Sequence, residues 1–269
     1  KNILILGGTG FLGSAIVREL ARRPASADFC FTLPTRREAG AKHLTVLPTA
    51  RVVQCDVHDP ATLAQLMAGQ DAVISLVGIL KGGEGDPYGK GFARAHVELP
   101  RKIAAAAKAA NVSRVLHVSA LKTSADAPSG YLRSKADGEA ALCDAGLDLT
   151  IFRPSVIFGR GDSFLTLFAR MAAIAPFFPL AGANARFQPV WVEDVAATVA
   201  DSLLCADSIG AAYDLCGPTQ YTLRELVSYA AAVAGHPRAI IGLPEAIAWL
   251  QAWAMEFIPN GPMTRDNVR

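Results

Sequence analysis

Ile3-Leu4-Ile5-Leu6-Gly7-Gly8-Thr9-Gly10-Phe11-Leu12-Gly13 is an apolar run that breaks into glycines and opens a helix pattern continuing to Arg22. Consecutive apolar residues before the glycines read as a strand buried on both faces. Phe11, Ile16, Val17 and Leu20 recur at helical spacing and give the next segment one apolar face. Glycine lets backbone approach an anion closely, and the first N–H groups of a helix point at it. The stretch therefore predicts a dinucleotide on the first βα turn of a parallel sheet, with Gly7, Thr9, Gly10, Phe11, Leu12 and Gly13 as its contacts. The spacing is Gly-x-x-Gly-x-x-Gly, and an ordinary strand-to-helix turn is the alternative reading.

Composition sets the frame around this turn. The chain has 269 residues, 51% hydrophobic and 19% charged, which is ample for a large core and argues against disorder. A formal net charge of +2 offers no nucleic-acid footprint, so no nucleic-acid partner is expected. Cys30, Cys55, Cys143, Cys205 and Cys216 show no CxxC spacing and read mostly as small core residues in a reducing, cytoplasmic compartment. The five histidines are far apart in sequence, and no metal site is expected. The first strand begins by Asn2 and leaves no room for a signal peptide; the missing initiator Met and the polar ending point to a trimmed view of a longer chain. No run is apolar for long enough to predict a membrane-spanning helix.

Apolar runs alternate with helix patterns through the first part of the chain. Strands are predicted over 2–7, 28–35, 51–56, 71–78, 113–119 and 148–153, and helices over 11–22, 60–68, 92–110 and 131–145. Such alternation gives an α/β fold, a doubly wound parallel sheet covered on both faces. Glycines crowd 81–91, which reads as a mobile loop near the ligand crevice. The expected division is a dinucleotide-binding core over 1–158, with 189–210 packing back on it, and a small irregular C-terminal lobe from 159–188 and 211–269.

The end of the second strand reads the nucleotide. An acidic residue there would bond the ribose 2′-OH of NAD, and a basic one would pair with the 2′-phosphate of NADP. The chain carries Thr35-Arg36-Arg37, and a guanidinium presents a planar fork to phosphate oxygens. NADP is therefore the first choice and NAD the second; two solvated loop arginines remain the plainer alternative. Asp56-Val57 follows the third strand, where a carboxylate can accept from the adenine amine, while Asp59-Pro60 reads as cap and first residue of a helix. Val77 and Gly78, after the fourth strand, allow close backbone approach to ribose and pyrophosphate. Tyr131 and Lys135 are spaced i,i+4, on one helical face. A cation beside a phenol lowers its pKa, and such a tyrosine can exchange a proton with a substrate hydroxyl while nicotinamide moves a hydride.

With these residues the chain resembles the short-chain dehydrogenase/reductase superfamily, in its extended or atypical branch. The resemblance rests on Gly7-x-x-Gly10-x-x-Gly13, Asp56-Val57, Val115 to Ser119, Tyr131-x-x-x-Lys135, Phe152 to Gly159, Pro189 to Ala196 and Gly217-Pro218-x-x-Tyr221-Thr222, which span nearly the whole chain. Within the branch it is similar to nucleotide-sugar epimerases, and more closely to the accessory subunit of respiratory complex I and its bacterial relatives. The resemblance implies a catalytic set of Tyr131, Lys135 and Ser119, with Pro154, Ser155 and Val156 lining the nicotinamide. Thr123 and Ser124 are further candidates for the hydroxyl, because Ser119 stands early for that role. Relatives also carry an Asn on the helix before the fifth strand, where this chain has His96.

Two functions follow from the resemblance. One is an oxidoreductase or nucleotide-sugar epimerase acting on a small molecule the sequence does not identify. The other is a non-catalytic nucleotide-binding accessory or assembly protein of a respiratory membrane complex. Residues 244–258 bear on the second: Ile247, Leu250, Ala254, Phe257 and Ile258 share a helical face flanked by Trp249 and Trp253. That stripe reads as core, or as a peripheral contact with a complex at the inner face of a membrane.

Overall fold

The structure, a computed structural model, describes residues 1–23, 29–174 and 177–244. Its elements in chain order are β1 (Asn2–Leu6), α1 (Phe11–Arg22), β2 (Cys30–Thr35), β3 (Ala50–Gln54), α2 (Pro60–Met67), β4 (Ala72–Ser75), α3 (Lys90–Phe92), a π-helical turn (Ala93–Glu98), α4 (Leu99–Ala109), β5 (Arg114–Val118), α5 (Gly130–Cys143) and β6 (Asp148–Pro154). Then come β7 (Ile157–Phe158), α6 (Phe164–Ile174), β8 (Phe177–Leu180), β9 (Arg186–Phe187), β10 (Val190–Trp191), α7 (Val192–Leu204), β11 (Ala212–Leu215), β12 (Tyr221–Thr222), α8 (Leu223–Val233) and β13 (Ala239–Gly242). Short 3-10 turns lie at Glu38–Ala41 and Ala206–Ser208.

The chain divides into two compact units. The first comprises Lys1–Pro154 and Val192–Leu215, and the second Ser155–Trp191 and the chain from Cys216 onward. In the first unit seven parallel strands run in the order β11-β6-β5-β4-β1-β2-β3. The chain reverses its direction of growth between β1 and β4, and open α/β sheets bind ligands at the carboxyl ends of strands flanking such a switch point. Side chains alternate along a strand, so β1 serves both faces. Leu4 and Leu6 meet Leu63, Leu99, Ile103 and Leu142 in the layer of α2, α4 and α5, while α1 packs against α7 in the other layer. Ile3 to Leu6 are fully buried, and each contributes roughly 1.5–3 kcal/mol of burial.

Local signals start the helices where the sequence predicts. The Asp59 carboxylate accepts from Thr62 N at the head of α2, and the Ser129 hydroxyl accepts from Leu132 N at the head of α5. Glu193 and Asp194 occupy the first turn of α7, where negative charge suits the helix dipole. At the amino ends of the strands, opposite the end where the switch point opens, Arg114 ties four segments together. Its guanidinium donates to Asp148 O, Thr150 Oγ1, Ser202 O and Ser208 Oγ over 2.6–2.9 Å.

In the second unit α6 packs on α8 over a cluster containing Phe164, Phe168, Phe178 and Phe187. Three two-stranded sheets edge it: β7 with β10, β9 with β12 and β8 with β13. Thr222 and Glu225 form a reciprocal capping box at the head of α8.

Four expectations need correction. Residues 212–215, placed by sequence in the C-terminal lobe, form the edge strand β11 of the main sheet, paired with β6. Their side chains are mostly exposed, so no apolar alternation announced the strand. Conversely, 155–158 and 189–191 belong to the second unit rather than the core. The strand predicted over 71–78 stops at Ser75, because after Leu76 donates to Leu6 O the chain leaves the sheet. The cysteines are not core residues: Cys30, Cys143 and Cys205 are exposed, and Cys55 and Cys216 are half-buried. Of the apolar stripe read at 244–258, residues from 245 on lie outside the described residues. No helix among the described residues is long and apolar enough to cross a membrane.

Candidate active site

The turn after β1 is built by steric necessity. Gly7 sits at φ +86°, a backbone conformation that L side chains rarely adopt. Gly10 N donates to Gly7 O at 3.0 Å, and Ser14 N opens the α1 ladder by donating to Gly10 O at 2.8 Å. A Cβ on Gly13 would stand 2.4 Å from Gly7 O and 2.5 Å from the Gly8 Cα, so α1 rests directly against the turn only because residue 13 is glycine. Gly10 caps α1 without a side chain, which leaves the N–H groups of Phe11, Leu12 and Gly13 directed out of the helix end. A Cβ on Gly7 would touch Leu76 at 3.3 Å, so the turn abuts the segment leaving β4, which carries Val77 and Gly78.

Beside this turn lies the end of β2. Thr9 Oγ1 donates to Thr35 Oγ1 at 3.4 Å, and Thr35 Oγ1 in turn accepts from Arg37 N at 3.3 Å. Arg36 and Arg37 are exposed, and among the described residues neither guanidinium is in an ion pair. The ring of His43 bonds Ser14 Oγ at 2.8 Å and ties the arginine loop back to α1. After β3, Asp56 accepts from His58 N at 3.0 Å and from Arg94 Nη2 at 3.3 Å. Val57 and Val77 pack on the core layer of α2, α4 and α5.

The other side of the site is carried by α5. Arg153 holds this helix to β6 through a two-pronged pair with Glu139, Nη2 to Oε2 at 2.6 Å and Nε to Oε1 at 3.1 Å. One turn from Glu139, Lys135 is buried, and its Nζ donates to Val118 O at 3.1 Å. A Cβ on Gly78 would stand 3.4 Å from that Nζ and 3.8 Å from His96 Nε2, so Gly78 lies over the lysine. The half-buried Tyr131 ring stands edge-on to His96, centroids 5.4 Å apart, and to Phe92 at 6.0 Å. His96 stacks on Phe92 at 5.4 Å. Its Nε2 meets Ile79 N at 3.0 Å and its Nδ1 meets Ser134 Oγ at 2.9 Å.

Burial governs the charges here. It pushes the Tyr131 phenol up to about 12 and the Lys135 ammonium down to about 8, the latter partly opposed by Glu139. This reverses the expectation that Lys135 lowers the phenol: the ammonium is engaged by the Val118 carbonyl, and desolvation decides. Burial and then Lys135 push His96 down to about 3. Ser119, the third member of the predicted set, is buried on the continuation of β5, where its N donates to Phe152 O at 2.7 Å. Its Oγ lies 3.4 Å from Thr123 Oγ1, which itself donates to Ala120 O at 2.5 Å. Pro154 closes β6 and accepts from Leu121 N at 3.0 Å. Ser155 and Val156 fall in the second unit, where Val156 O accepts from Val190 N. Among the described residues no His, Cys, Asp or Glu cluster could hold a metal ion.

Sequence reasoning missed three features. The glycine-rich loop is pinned rather than mobile. Arg133 donates twice to Pro87 O, at 2.6 and 3.0 Å, and also to Ala127 O and Pro128 O, while Tyr88 Oη donates to Asp137 Oδ2 at 2.6 Å. No local pattern announces bonds across 46 residues. The π-helical turn that seats His96 was hidden inside a helix-like pattern; such turns are rare and frequent at functional sites. His117 on β5 is fully buried beside Lys135 and His96, with no hydrogen-bond partner for either ring nitrogen among the described residues, and burial holds its pKa well below 6.5.

Comparison with known proteins bears on the family and the fold. The family model for NAD(P)H-binding proteins matches residues 7–164. NADH dehydrogenase (ubiquinone) 1 alpha subcomplex subunit 9 of Rattus norvegicus is 34% identical over 233 residues, which is 84% of this chain and 59% of that protein. The chain thus spans less than two thirds of that relative's length. A ceramide reductase of Caulobacter vibrioides is 30% identical over 262 residues, 94% of this chain and 78% of that protein. Among solved structures, a dTDP-glucose 4,6-dehydratase from Streptomyces venezuelae with NAD and TYD bound superposes with a TM-score of 0.78 over 91% of this chain and 85% of that one, at 23% identity.

The buried imidazole gives the site a pH signature. Between pH 6.5 and about 3 the unfolded chain binds a proton at His96 that the folded chain does not. Stability is therefore lost as pH falls below 6.5, by about 1.4 kcal/mol per pH unit. His96→Gln removes this contribution. Urea unfolding at pH 6.5 and pH 5.0 is expected to show a wild-type loss larger than the variant's by about 2 kcal/mol. Equal losses would contradict the assignment.

Proposed function

We infer the function from this premise: the chain belongs to the NAD(P)H-binding family within the short-chain dehydrogenase/reductase superfamily. On that basis the chain is an NADP(H)-dependent oxidoreductase acting at a carbonyl or hydroxyl carbon. The observation that carries this reading is that Tyr131 and Lys135 stand i,i+4 on α5, with Lys135 beside Gly78. The residues fit the dinucleotide, because Gly10 caps α1 without a side chain and leaves the first N–H groups of the helix directed at the space an anion would take. Gly7, Thr9, Gly10, Phe11, Leu12 and Gly13 would hold its pyrophosphate, and Asp56 and Val57 would border the adenine. Val77, Gly78 and Lys135 would meet the ribose, and Pro154, Ser155 and Val156 the nicotinamide.

Reduced nicotinamide supplies a hydride when bound. The protein's own part is proton transfer and positioning. At neutral pH a phenol near 12 is protonated and an ammonium near 8 is mostly charged. Tyr131 thus rests as a proton donor, which suits reduction of a carbonyl whose oxygen gains charge. Ser119 would hold that oxygen by a second hydrogen bond. Lys135, one turn along α5 and held by the Val118 carbonyl, would position the nicotinamide ribose beside the phenol. The ceramide reductase relative, matched over 94% of the chain, supports a reductase over a sugar epimerase.

One observation favours a second reading. His96 stands where active relatives carry Asn, and both its ring nitrogens are bonded within the protein. A site closed this way would suit a nucleotide-holding accessory protein at a membrane complex, as the complex I relatives suggest.

Two measurements test the proposal. Arg36 and Arg37 are the 2′-phosphate readers, so titration is expected to show NADPH binding at least tenfold more tightly than NADH. Charged hydrogen bonds of roughly 1.5–3 kcal/mol each support that margin, and the double variant Arg36→Ala/Arg37→Ala is expected to abolish it. Equal wild-type affinities would contradict the assignment. In the second measurement, Tyr131→Phe is expected to keep NADPH affinity within about threefold while carbonyl-dependent NADPH oxidation falls by about 10²-fold or more. Undiminished turnover in that variant would remove Tyr131 from the chemistry.

A further inference from the structure

We propose that His96 is a positioning residue: as the neutral Nδ1–H tautomer it clamps the segment leaving β4 to the Tyr131–Lys135 turn of α5, and so holds the nucleotide crevice open. The inference rests on the nucleotide reading above and adds what keeps that site assembled.

The tautomer follows from donors and acceptors alone. A backbone N–H can only donate, so Ile79 N, at 3.0 Å, makes His96 Nε2 an acceptor. The ring proton therefore sits on Nδ1 and is donated to Ser134 Oγ at 2.9 Å. Ser134 Oγ passes its own proton to Tyr131 O at 2.7 Å. The bonds thus run in one direction from the β4 segment to the backbone of Tyr131. His96 has no room to re-form them elsewhere. Phe92 stacks on its ring, Tyr131 closes its edge, and a Cβ on Gly138 would run into its carbonyl oxygen. The π-helical turn Ala93–Glu98 sets the position of this ring.

Gly78, which lies against Lys135, immediately precedes the clamped Ile79. Loss of the acceptor at Nε2 leaves the Ile79 N–H half-buried and unpaired, and the segment is then driven to other conformations. Apparent affinity for a nucleotide falls by the fraction of molecules that keep the competent loop. A second proton on His96 would have the same effect. Burial and the Lys135 cation on α5 both oppose that proton, and His117 on β5 beside it is itself held neutral by burial.

Two substitutions separate the ends of the ring. Gln reaches the Nε2 position and retains an acceptor for Ile79; Asn reaches only the Nδ1 position and retains a donor for Ser134. His96→Gln is expected to bind NADPH within about threefold of wild type, and His96→Asn at least tenfold more weakly. Ile79 amide exchange is expected to stay protected in the first variant and to accelerate at least tenfold in the second. In the wild type, long-range nitrogen–proton correlation spectra are expected to show Nε2 unprotonated and Nδ1 protonated from pH 5 to pH 8. A protonated Nε2, or Asn and Gln variants alike in both Ile79 exchange and NADPH affinity, would overturn the clamp. The exchange and tautomer measurements need no nucleotide. If NADPH fails to bind the wild type while Ile79 responds as expected, the nucleotide reading falls and the clamp stands.

Discussion

Gly13 has no space for a side chain, and much of the site's geometry follows from that constraint. The missing Cβ lets the first turn of α1 lie on the peptide between Gly7 and Gly8. That contact fixes where the helix N-terminus points. β1 stands between β2 and β4 in the sheet, so the turn opens at the place where the strand order reverses. Thr9 meets the end of β2 on one side, and Leu76 follows β4 on the other. A wider first turn would separate the helix end from both.

The second half of the site is costly to assemble. Lys135, His96 and His117 are three titratable side chains removed from water in one region, and each burial disfavours charge. The protein meets this cost differently at each residue. Lys135 stays mostly charged at neutral pH with a carbonyl partner, His96 is neutral with two partners, and His117 is neutral with none among the described residues. The Arg153–Glu139 pair and the Arg133 bonds to Pro87 in the glycine-rich loop hold α5 against this penalty. Sites that carry chemistry are where such perturbed groups gather, so the arrangement is itself a reason to seek activity.

Legibility in the sequence followed the range of the interactions. The β1 turn was readable because the glycine spacing is a local steric statement. Tyr131 and Lys135 were readable because i,i+4 spacing sets a shared face on any helix. The position of Arg36 and Arg37 just past β2 was readable by counting from the turn. The pinned loop was not readable: Arg133 reaches Pro87 across the fold, and a run of glycines looks the same whether tied or loose. β11 was hidden because an edge strand with exposed side chains lacks apolar alternation. The phenol was misjudged because a neighbouring lysine is visible in a sequence, whereas the carbonyl that occupies it and the depth of burial are not.

A crystal structure of the protein grown with NADPH tests the central claim most directly. The account expects the pyrophosphate against the N–H groups of Phe11, Leu12 and Gly13, the 2′-phosphate within reach of Arg36 or Arg37, and the nicotinamide ribose bonded to Lys135. A dinucleotide seated away from the Gly7–Gly13 turn, or a nicotinamide that never enters the space between Gly78 and Tyr131, would contradict it.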